Sequence, residues 1–429
     1  MARLLQLLPV PTGERVLGII PALQAALAGA GPALLPVPAD DETETARLAG
    51  SLDAGMAMAH WEDELGDPTA VVIATSGSTG TPKGALLPAS ALAASAEATR
   101  RRLTIRPEGG QQAAPGNWLL ALSATHIAGL QVILRAVAEG TEPTVLDTAA
   151  GFTAERFGAA VDRMPTGPRF TSLVPTQLTR ILSDPAAAAA LGTFDAVLVG
   201  GASTSAGLLH DAEQAGIKIV TTYGMSETCG GCVYNGVPLD GVTVAGSQSA
   251  GGPANRPGRI SITGPVVARG YRGRPDHPSF SRGDGDRFAT FRTDDLAVLD
   301  GGGWRIVGRV DDVITTGGIK IDPAVVEAIL LQVSDVAEVI VTGVPDPAWG
   351  EVLVAVVVQA AGGAPDLRKL RAAAGTELGA AAAPRHLVLT ERLPLRGPGK
   401  PDRAAIRELA TAEITARILT GSAATQVTW

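Results

Sequence analysis

The segment Thr75-Ser-Gly-Ser-Thr-Gly-Thr-Pro-Lys-Gly84 decides the fold class, because it directly follows the buried-strand pattern Ala70-Val-Val-Ile-Ala-Thr75. Glycines let backbone N–H groups turn towards a phosphate, hydroxyl side chains donate further hydrogen bonds, and Lys83 adds a positive charge. The order Pro82-Lys83-Gly84 differs from a Walker A loop, in which Ser or Thr follows the lysine. The segment therefore predicts a phosphate loop of another kind; the alternative is a surface turn without a ligand.

Short apolar strands alternate with helical stretches from this loop to about residue 225. Continuous apolar strands between helices indicate a largely parallel sheet that is covered on both faces. Ligands of such sheets bind at the carboxyl ends of the strands. The predicted strands are Trp118–Leu122, Phe170–Val174, Asp195–Val199 and Ile217–Val220, and the predicted helices are Ala85–Arg102 and His126–Ala138.

The sequence pattern changes after about residue 240. Short predicted strands rich in Gly and Arg indicate a small β-rich subdomain there. The charged segment Gly308–Asp312 is a compact link to a further α+β unit. We therefore predict an α/β protein with two domains. Residues 1–308 form a large domain of layered, mostly parallel αβ sheets with the β-rich subdomain, and residues 309–429 form a small, mobile α+β domain.

Composition excludes several classes of partner. The 429 residues carry a net charge of −8 with only 3% aromatic residues, and the pI is near 5.3. Proteins that bind nucleic acids or anionic membranes usually carry clusters of Lys and Arg. Because this chain is acidic, we expect neither partner. No apolar run of about 18 residues predicts a membrane span. The apolar start of the chain is broken by Gln6 and ends at Pro9, so we expect no signal peptide and a cytoplasmic location.

The two cysteines form a Cys229-Gly-Gly-Cys232 motif. A structural zinc ion needs four ligands, and the sequence offers neither a second cysteine pair nor a suitably spaced histidine pair. A thioredoxin-like motif should open a helix after an early strand of a small domain. We expect small residues that line a pocket wall, and a redox or metal role is the alternative.

Five motifs in order resemble the superfamily of acyl-CoA synthetases, peptide-synthetase adenylation domains and luciferases. They are similar to its phosphate loop (Thr75–Gly84), adenine and magnesium motif (Tyr223–Thr228), ribose motif (Arg292–Asp295), hinge motif (Gly308–Asp312) and terminal lysine loop (Leu393–Lys400). The resemblance implies an enzyme that uses ATP and Mg²⁺ to convert a carboxylic acid into an acyl-adenylate and then transfers the acyl group to coenzyme A.

The resemblance also implies the role of individual residues. Lys400 is the catalytic lysine, which stabilises the charge between the attacking carboxylate and the α-phosphate. Glu227 is the Mg²⁺ ligand and counts with Lys400 and His126 among the catalytic residues. Asp294 stands where the family usually has glycine, so either aspartate could face the ribose; register favours Asp295. The ATP-binding residues are Thr75, Ser76, Gly77, Ser78, Thr79, Gly80, Lys83, Gly201, Ala202, Tyr223, Gly224, Ser226, Asp295 and Arg309.

For the second half-reaction, the superfamily swings its C-terminal domain about a hinge, which is matched here by Asp311. Gly317 and Gly318 then leave room for the pantetheine arm of coenzyme A. Lys320 is assigned to the phosphates of coenzyme A, with a solvated lysine as the alternative.

The acid pocket is predicted from the loops at the strand ends, with His126, Thr176, Gln177 and Ser203 as candidate ligands. The alternatives are a packed histidine and polar side chains that serve the backbone. Two segments, Ser172–Leu178 and Thr222–Gly241, resemble the actinobacterial o-succinylbenzoate–CoA ligases of menaquinone biosynthesis. This resemblance implies that the substrate is an aromatic keto-diacid. Another aryl- or acyl-CoA ligase and a non-catalytic nucleotide-binding relative stay open. The expected partners are the acid, ATP and coenzyme A, and a homodimer is left open.

Overall fold

The computed structural model describes residues 2–75, 82–103, 114–246, 257–282, 288–301, 303–360, 362–396 and 400–420. The chain divides into two compact units, Met1–Ala245 with Ser261–Thr293 and Gly246–Ile260 with Asp294–Trp429. The predicted division into 1–308 and 309–429 stays a prediction. No described helix is long and apolar enough to cross a membrane.

The secondary structure alternates between strands and helices as far as residue 238. In chain order the elements are β1 (Leu5–Val10), α1 (Ile20–Leu27), β2 (Ala33–Pro38), α2 (Glu42–Ser51), β3 (Thr69–Thr75), β4 (Lys83–Pro88), α3 (Ala89–Leu103), β5 (Asn117–Leu120), α4 (Ile127–Ala138), β6 (Thr144–Val145), α5 (Ala154–Asp162), β7 (Arg169–Leu173), α6 (Pro175–Leu182), α7 (Pro185–Gly192), β8 (Ala196–Val199), α8 (Ala206–Gln214), β9 (Ile219–Met225), β10 (Gly230–Tyr234) and β11 (Val237–Pro238).

Strands dominate the rest of the chain. The elements are β12 (Thr243–Gly246), β13 (Gly258–Thr263), β14 (Gly270–Tyr271), β15 (Phe280–Ser281), β16 (Thr290–Asp300), β17 (Gly303–Arg309), β18 (Ile314–Thr316), β19 (Ile319–Ile321), α9 (Pro323–Leu330), β20 (Val336–Asp346), β21 (Gly350–Gln359), α10 (Leu367–Leu378), β22 (His386–Leu389), β23 (Leu395–Arg396), β24 (Lys400–Pro401) and α11 (Arg403–Thr420). Short 3₁₀ helices span Gly13–Ile19, Ser226–Thr228 and Ala380–Ala382.

The first sheet of the first unit has the strand order β1-β2-β3-β4-β14 over the described residues. β1, β2 and β3 are parallel, whereas β4 returns antiparallel to β3, with Thr75 opposite Lys83. The predicted helix Ala85–Arg102 is therefore wrong at its start. Leu86 and Leu87 are fully buried in the returning strand, and the helix begins only at Ala89. Burial in the sheet outweighs the helical propensity of this stretch.

The second sheet has the order β11-β10-β9-β8-β7-β5-β6, and its strands β6, β5, β7, β8 and β9 are parallel. Large apolar side chains such as Phe157, Phe194 and Leu178 are fully buried against it in one cluster. Each contributes about 1.5–3 kcal/mol by leaving water. Because the strands are parallel, the loops that follow β5, β7, β8 and β9 all lie at one edge of the sheet.

In the second unit, β17 pairs antiparallel with the later half of β16. Further along the chain, another sheet of this unit has the strand order β19-β18-β21-β20, and β22 pairs with β21. The side chains of α9 and α10, including Val326 and Leu370, pack in one apolar cluster of this sheet. The side chains of α11, including Ile406 and Ile414, pack in another.

Candidate active site

The strands on both sides of the predicted phosphate loop are fixed to each other. The hydroxyl of Thr75 donates a hydrogen bond to the carbonyl oxygen of Lys83 over 3.2 Å. The ammonium group of Lys83 lies 5.1 Å from the centroid of the Tyr271 ring. The structure therefore places the two ends of the loop side by side, at the end of β3 and the start of β4. The predicted phosphate ligands Ser76, Gly77, Ser78, Thr79 and Gly80 lie outside the described residues.

The predicted magnesium ligand Glu227 lies in the 3₁₀ turn that follows β9. Its side chain is buried, with 7% of the residue exposed. One carboxylate oxygen, Oε1, accepts a hydrogen bond of 2.6 Å from the hydroxyl of Tyr271. A carboxylate with one oxygen held in this way has a fixed orientation, which a metal ligand requires.

The turn around Glu227 is held by its neighbours. The hydroxyl of Thr228 accepts the backbone N–H of Met225 over 3.0 Å and donates to the carbonyl of Gly230 over 2.8 Å. Ser226 begins the turn, and its carbonyl accepts the N–H of Cys229. The half-buried Tyr223 and Gly224 precede the turn in β9. A side chain on Gly224 would overlap the carbonyl oxygen of Gly230, so β9 and β10 approach each other closely only because this residue is glycine.

The cysteine motif belongs to this turn rather than to a pocket wall. Cys229 has the left-handed backbone angle φ +52°, and its carbonyl accepts hydrogen bonds from Ser95 and Gln131. Both cysteines are free thiols and fully buried, so the expectation that they line a pocket is wrong. Burial raises the pKa of both thiols, that of Cys232 to about 12.

The loops at the carboxyl edge of the second sheet carry the predicted acid-binding and adenine-binding residues. His126 follows β5, precedes α4 and is half-buried. Thr176, half-buried, stands at the start of α6 after β7. After β8, Gly201 has the left-handed angle φ +82°, Ala202 is half-buried and Ser203 is exposed. The structure thus brings these loops to the same edge as the end of β9.

Gln177 serves the backbone. Its Oε1 accepts the N–H of Val174 over 3.1 Å, and its Nε2 donates to the carbonyl of Ala121 over 2.9 Å. These bonds cap α6 and join the loops after β5 and β7. For Gln177, the structure therefore favours the alternative interpretation, in which the polar side chain bonds to the backbone.

In the second unit, Asp295 and Arg309 stand opposite each other on β16 and β17. Arg309 donates to Asp295 over 2.9 Å and to both carboxylate oxygens of Asp311 over 2.9 and 2.8 Å. Burial opposes the charge of Arg309, but these carboxylates raise its pKa above the ordinary value. Asp294 pairs instead with Arg259 over 2.6 Å. The buried aspartate that accompanies Arg309 is therefore Asp295, and the hinge candidate Asp311 belongs to the same group.

Gly317 and Gly318 form the turn between β18 and β19, both in the left-handed region with φ +55° and +80°. A side chain on Gly317 would lie 2.7 Å from the ring of Trp349, which accounts for this glycine within the fold. Lys320 is exposed. Lys400 opens β24 and stands opposite Arg396, and its side chain lies outside the described residues.

Two further groups were not predicted. Tyr271 lies in the segment Arg269-Gly-Tyr-Arg-Gly-Arg274, whose arginines do not point to the tyrosine as a partner of Glu227. Arg403, three residues after Lys400, pairs with Asp312 over 3.2 Å and with Glu327 over 3.0 Å. The position of Arg403 close to the predicted catalytic lysine could have marked it as a residue of interest. Its partners could not have been predicted, because they are distant in sequence.

Comparison with known proteins decides the family. Residues 34–272 match the AMP-binding enzyme family, and residues 325–400 match the AMP-binding enzyme C-terminal domain. The chain belongs to the AMP-binding enzyme family. The family predicted from five motifs is thereby confirmed, and the match covers the phosphate-loop strands, Glu227 and Tyr271.

Relatives of this chain include ligases of aromatic acids. A probable 2-succinylbenzoate–CoA ligase of Mycobacterium tuberculosis is 44% identical over 93% of this chain and 97% of its own. A feruloyl-CoA synthase of an Amycolatopsis species is 33% identical over 90% of this chain and 81% of its own.

A solved structure of Bacillus subtilis o-succinylbenzoate CoA synthetase, in complex with its acyl-adenylate intermediate, has a TM-score of 0.76 at 22% identity and covers 94% of this chain and 88% of that one. The predicted layered α/β fold with a small C-terminal α+β domain is thereby confirmed.

Proposed function

We propose that this protein is an AMP-forming carboxylate–CoA ligase and that its acid is o-succinylbenzoate. The geometric observation that carries the proposal is the buried Glu227 carboxylate at the end of β9, oriented by Tyr271 beside the strand that leaves the phosphate loop. The 44% identity to a probable 2-succinylbenzoate–CoA ligase, over nearly the whole of both chains, supports the choice of acid.

The residues present fit a magnesium ion that is bound together with ATP. Mg²⁺ commonly takes one or two carboxylates and completes its shell with waters and substrate phosphates. Within the described residues there is no cluster of three potential ligands, but Glu227 supplies one oriented carboxylate. When bound, the ion neutralises phosphate charge as pyrophosphate leaves. Lys83 and the predicted phosphate loop add positive charge and N–H donors, while Tyr223, Gly224 and Ser226 are assigned to the nucleotide with Gly201 and Ala202.

The ribose is assigned to Asp295, whose carboxylate can accept both sugar hydroxyls, and to Arg309, which can donate to the same sugar. The hydrogen bond of 2.9 Å between them keeps the two groups side by side before the sugar binds. Asp294 is not assigned to the ribose, since it pairs with Arg259.

The acid is assigned to the carboxyl edge of the second sheet, with His126, Thr176 and Ser203 as its contacts. Gln177 is left out of this set because its amide oxygen bonds to Val174 and its amide nitrogen to Ala121. The carboxylate of the substrate is already ionised at neutral pH, so its attack on the α-phosphorus requires no general base. We assign Lys400 to the charge that develops between these two groups.

Transfer to coenzyme A is assigned to Gly317, Gly318 and Lys320, after rotation about the hinge residue Asp311 that withdraws Lys400. A boundary between domains 1–308 and 309–429, a cytoplasmic location and a homodimer belong to the same proposal.

The test is an incubation of the protein with ATP, Mg²⁺, coenzyme A and a panel of acids that includes o-succinylbenzoate and ferulate. Mass spectrometry then measures AMP and the coenzyme A thioester. We expect o-succinylbenzoyl-CoA and AMP in equal amounts, with kcat/KM at least about 100-fold above that for ferulate, because a polar group left unpaired in a binding site is costly. Preference for ferulate would overturn the choice of acid, and failure of every acid would overturn the activity.

A further inference from the structure

Tyr271 connects the predicted magnesium ligand to the strand that leaves the phosphate loop. It lies on the two-residue strand β14, which pairs antiparallel with β4, so that Tyr271 stands opposite Ala85 and Gly270 opposite Leu86. The residue is 4% exposed, and its hydroxyl donates to Oε1 of Glu227 over 2.6 Å.

The ring of Tyr271 is fixed by its neighbours. His277 and Phe280 pack against it edge-on, with ring centroids 4.7 and 5.1 Å away. The ammonium group of Lys83 stands over the ring at 5.1 Å. A ring held by several groups has little rotational freedom, so the direction of its hydroxyl is fixed as well.

The segment before β14 also holds the backbone of Glu227, whose carbonyl accepts the N–H of Ala268 over 2.8 Å. The segment after β14 is anchored in turn. Arg272 forms a buried ion pair with Glu62, and the N–H of Gly273 donates to the same carboxylate over 2.7 Å. The N–H of Arg272 also donates to the carbonyl of Gly84 over 2.8 Å. Residues 268–273 therefore bind both the turn that carries Glu227 and the end of the phosphate-loop hairpin.

We propose that Tyr271 is a positioning residue for the metal–nucleotide complex. Its hydroxyl holds the Glu227 carboxylate in the orientation that Mg²⁺ meets, and β14 keeps that carboxylate at a constant distance from Lys83. This inference rests on the proposed function, in which Glu227 binds the ion. Groups that orient a metal ligand typically account for a 10–100-fold change in metal affinity when they are removed.

The test compares Tyr271→Phe with Tyr234→Phe. Tyr234 is a matched control because its buried hydroxyl also bonds protein groups, Thr99 over 2.9 Å and Arg135 over 3.4 Å, which lie on α3 and α4. Titration calorimetry measures the binding of α,β-methylene-ATP with Mg²⁺ and with EDTA. We expect Tyr271→Phe to weaken binding at least about 10-fold in Mg²⁺ and less than twofold in EDTA. Tyr234→Phe should change neither value by more than twofold.

Glu227→Gln separates failure of this inference from failure of the proposed function. If Glu227→Gln weakens Mg²⁺-dependent binding and Tyr271→Phe behaves like Tyr234→Phe, the inference is overturned and the metal ligand stands. If Glu227→Gln leaves Mg²⁺-dependent binding unchanged, the assignment of Glu227 fails and the inference fails with it. The double variant should bind no more weakly than Glu227→Gln alone.

Discussion

At the scale of single residues, burial gives the cysteines of the Cys-Gly-Gly-Cys motif a chemistry that their spacing does not suggest. Only the thiolate form of cysteine is a good nucleophile. Burial raises the pKa of Cys232 to about 12 and also raises that of Cys229. At pH 8 a far smaller fraction of Cys232 is therefore ionised than of an ordinary thiol, whose pKa is near 8.5.

We therefore expect the native protein to react with Ellman's reagent at pH 8 at least about 100-fold more slowly than the unfolded protein. The chain has two cysteines, so unfolding in guanidinium should release two rapidly reacting thiols. Rapid reaction of either thiol in the native state would contradict this account. Raising the pH to 9 should leave the native protein slow, because 9 is still well below the raised pKa.

Single residues also show where prediction from sequence stops. The motifs make Glu227 and Asp295 candidates, and the structure buries both. The role of Gln177 could not be predicted, because its amide nitrogen bonds to Ala121, a residue 56 positions earlier. Tyr271 and Glu227 are 44 positions apart, and nothing in either local sequence indicates their hydrogen bond. The motifs point to Glu227 and Asp295 as candidate residues but not to the groups that hold them.

At the scale of elements, the hairpin of β9 and β10 determines where Glu227 lies. Gly224 stands opposite Gly231, and any side chain on Gly224 would overlap backbone atoms of Gly230. We expect Gly224→Ala to lower the free energy of unfolding by about 2–3 kcal/mol, because backbone atoms have to move to accommodate the methyl group. Gly207→Ala is the matched control, since open space surrounds that exposed glycine in α8.

Gly207→Ala should raise the free energy of unfolding by up to about 1 kcal/mol through helix propensity. Urea unfolding of both variants, followed by circular dichroism, measures the two effects. Equal effects of the two substitutions would show that the close approach at Gly224 does not constrain the hairpin.

Most elements could be predicted because apolar strands and amphipathic helices have different periods. β4 could not, because its residues Gly84-Ala-Leu-Leu87 fit either element and only pairing with β3 decides between them. The strand β14 spans two residues and carries no periodicity at all. Its position depends on pairing with β4, nearly 200 residues earlier in the chain.

At the scale of the whole molecule, a partly buried charge cluster supports the second unit. Arg403, the first residue of α11, pairs with Asp312 and Glu327. Burial raises the pKa of both carboxyl groups, against the opposing charge of Arg403. Removing Arg403 would leave the buried Glu327 and the half-buried Asp312 without this cation. Because Arg403 is partly exposed and solvent screens the pair, we expect Arg403→Ala to lower the stability of the second unit by about 1–3 kcal/mol. Arg407→Ala, which breaks an exposed pair with Glu351, should cost less than about 1 kcal/mol.

Hydrogen exchange measured by mass spectrometry locates this effect, because peptides from 312–420 should exchange faster while peptides from the first unit stay unchanged. A folded-state pKa above the unfolded value favours folding at pH values below the unfolded pKa, and this contribution is lost as the pH rises through the folded pKa. The loss on Arg403→Ala should therefore be smaller at pH 4.5 than at pH 7.5. A loss that is independent of pH would contradict the role of these carboxylates.

The variant Lys400→Ala should affect the two half-reactions differently. In the proposed function, the lysine stabilises charge that builds up during adenylation and is withdrawn before coenzyme A reacts. We expect Lys400→Ala to slow pyrophosphate release at least about 100-fold. Formation of the thioester from supplied acyl-adenylate and coenzyme A should stay within about threefold, since that step does not use the lysine. Lys369→Ala, which removes an exposed lysine paired with Asp335 in the same unit, should leave both rates unchanged. Unchanged ATP-dependent activity in Lys400→Ala would remove the lysine from the mechanism, and equal loss of both half-reactions would contradict its withdrawal.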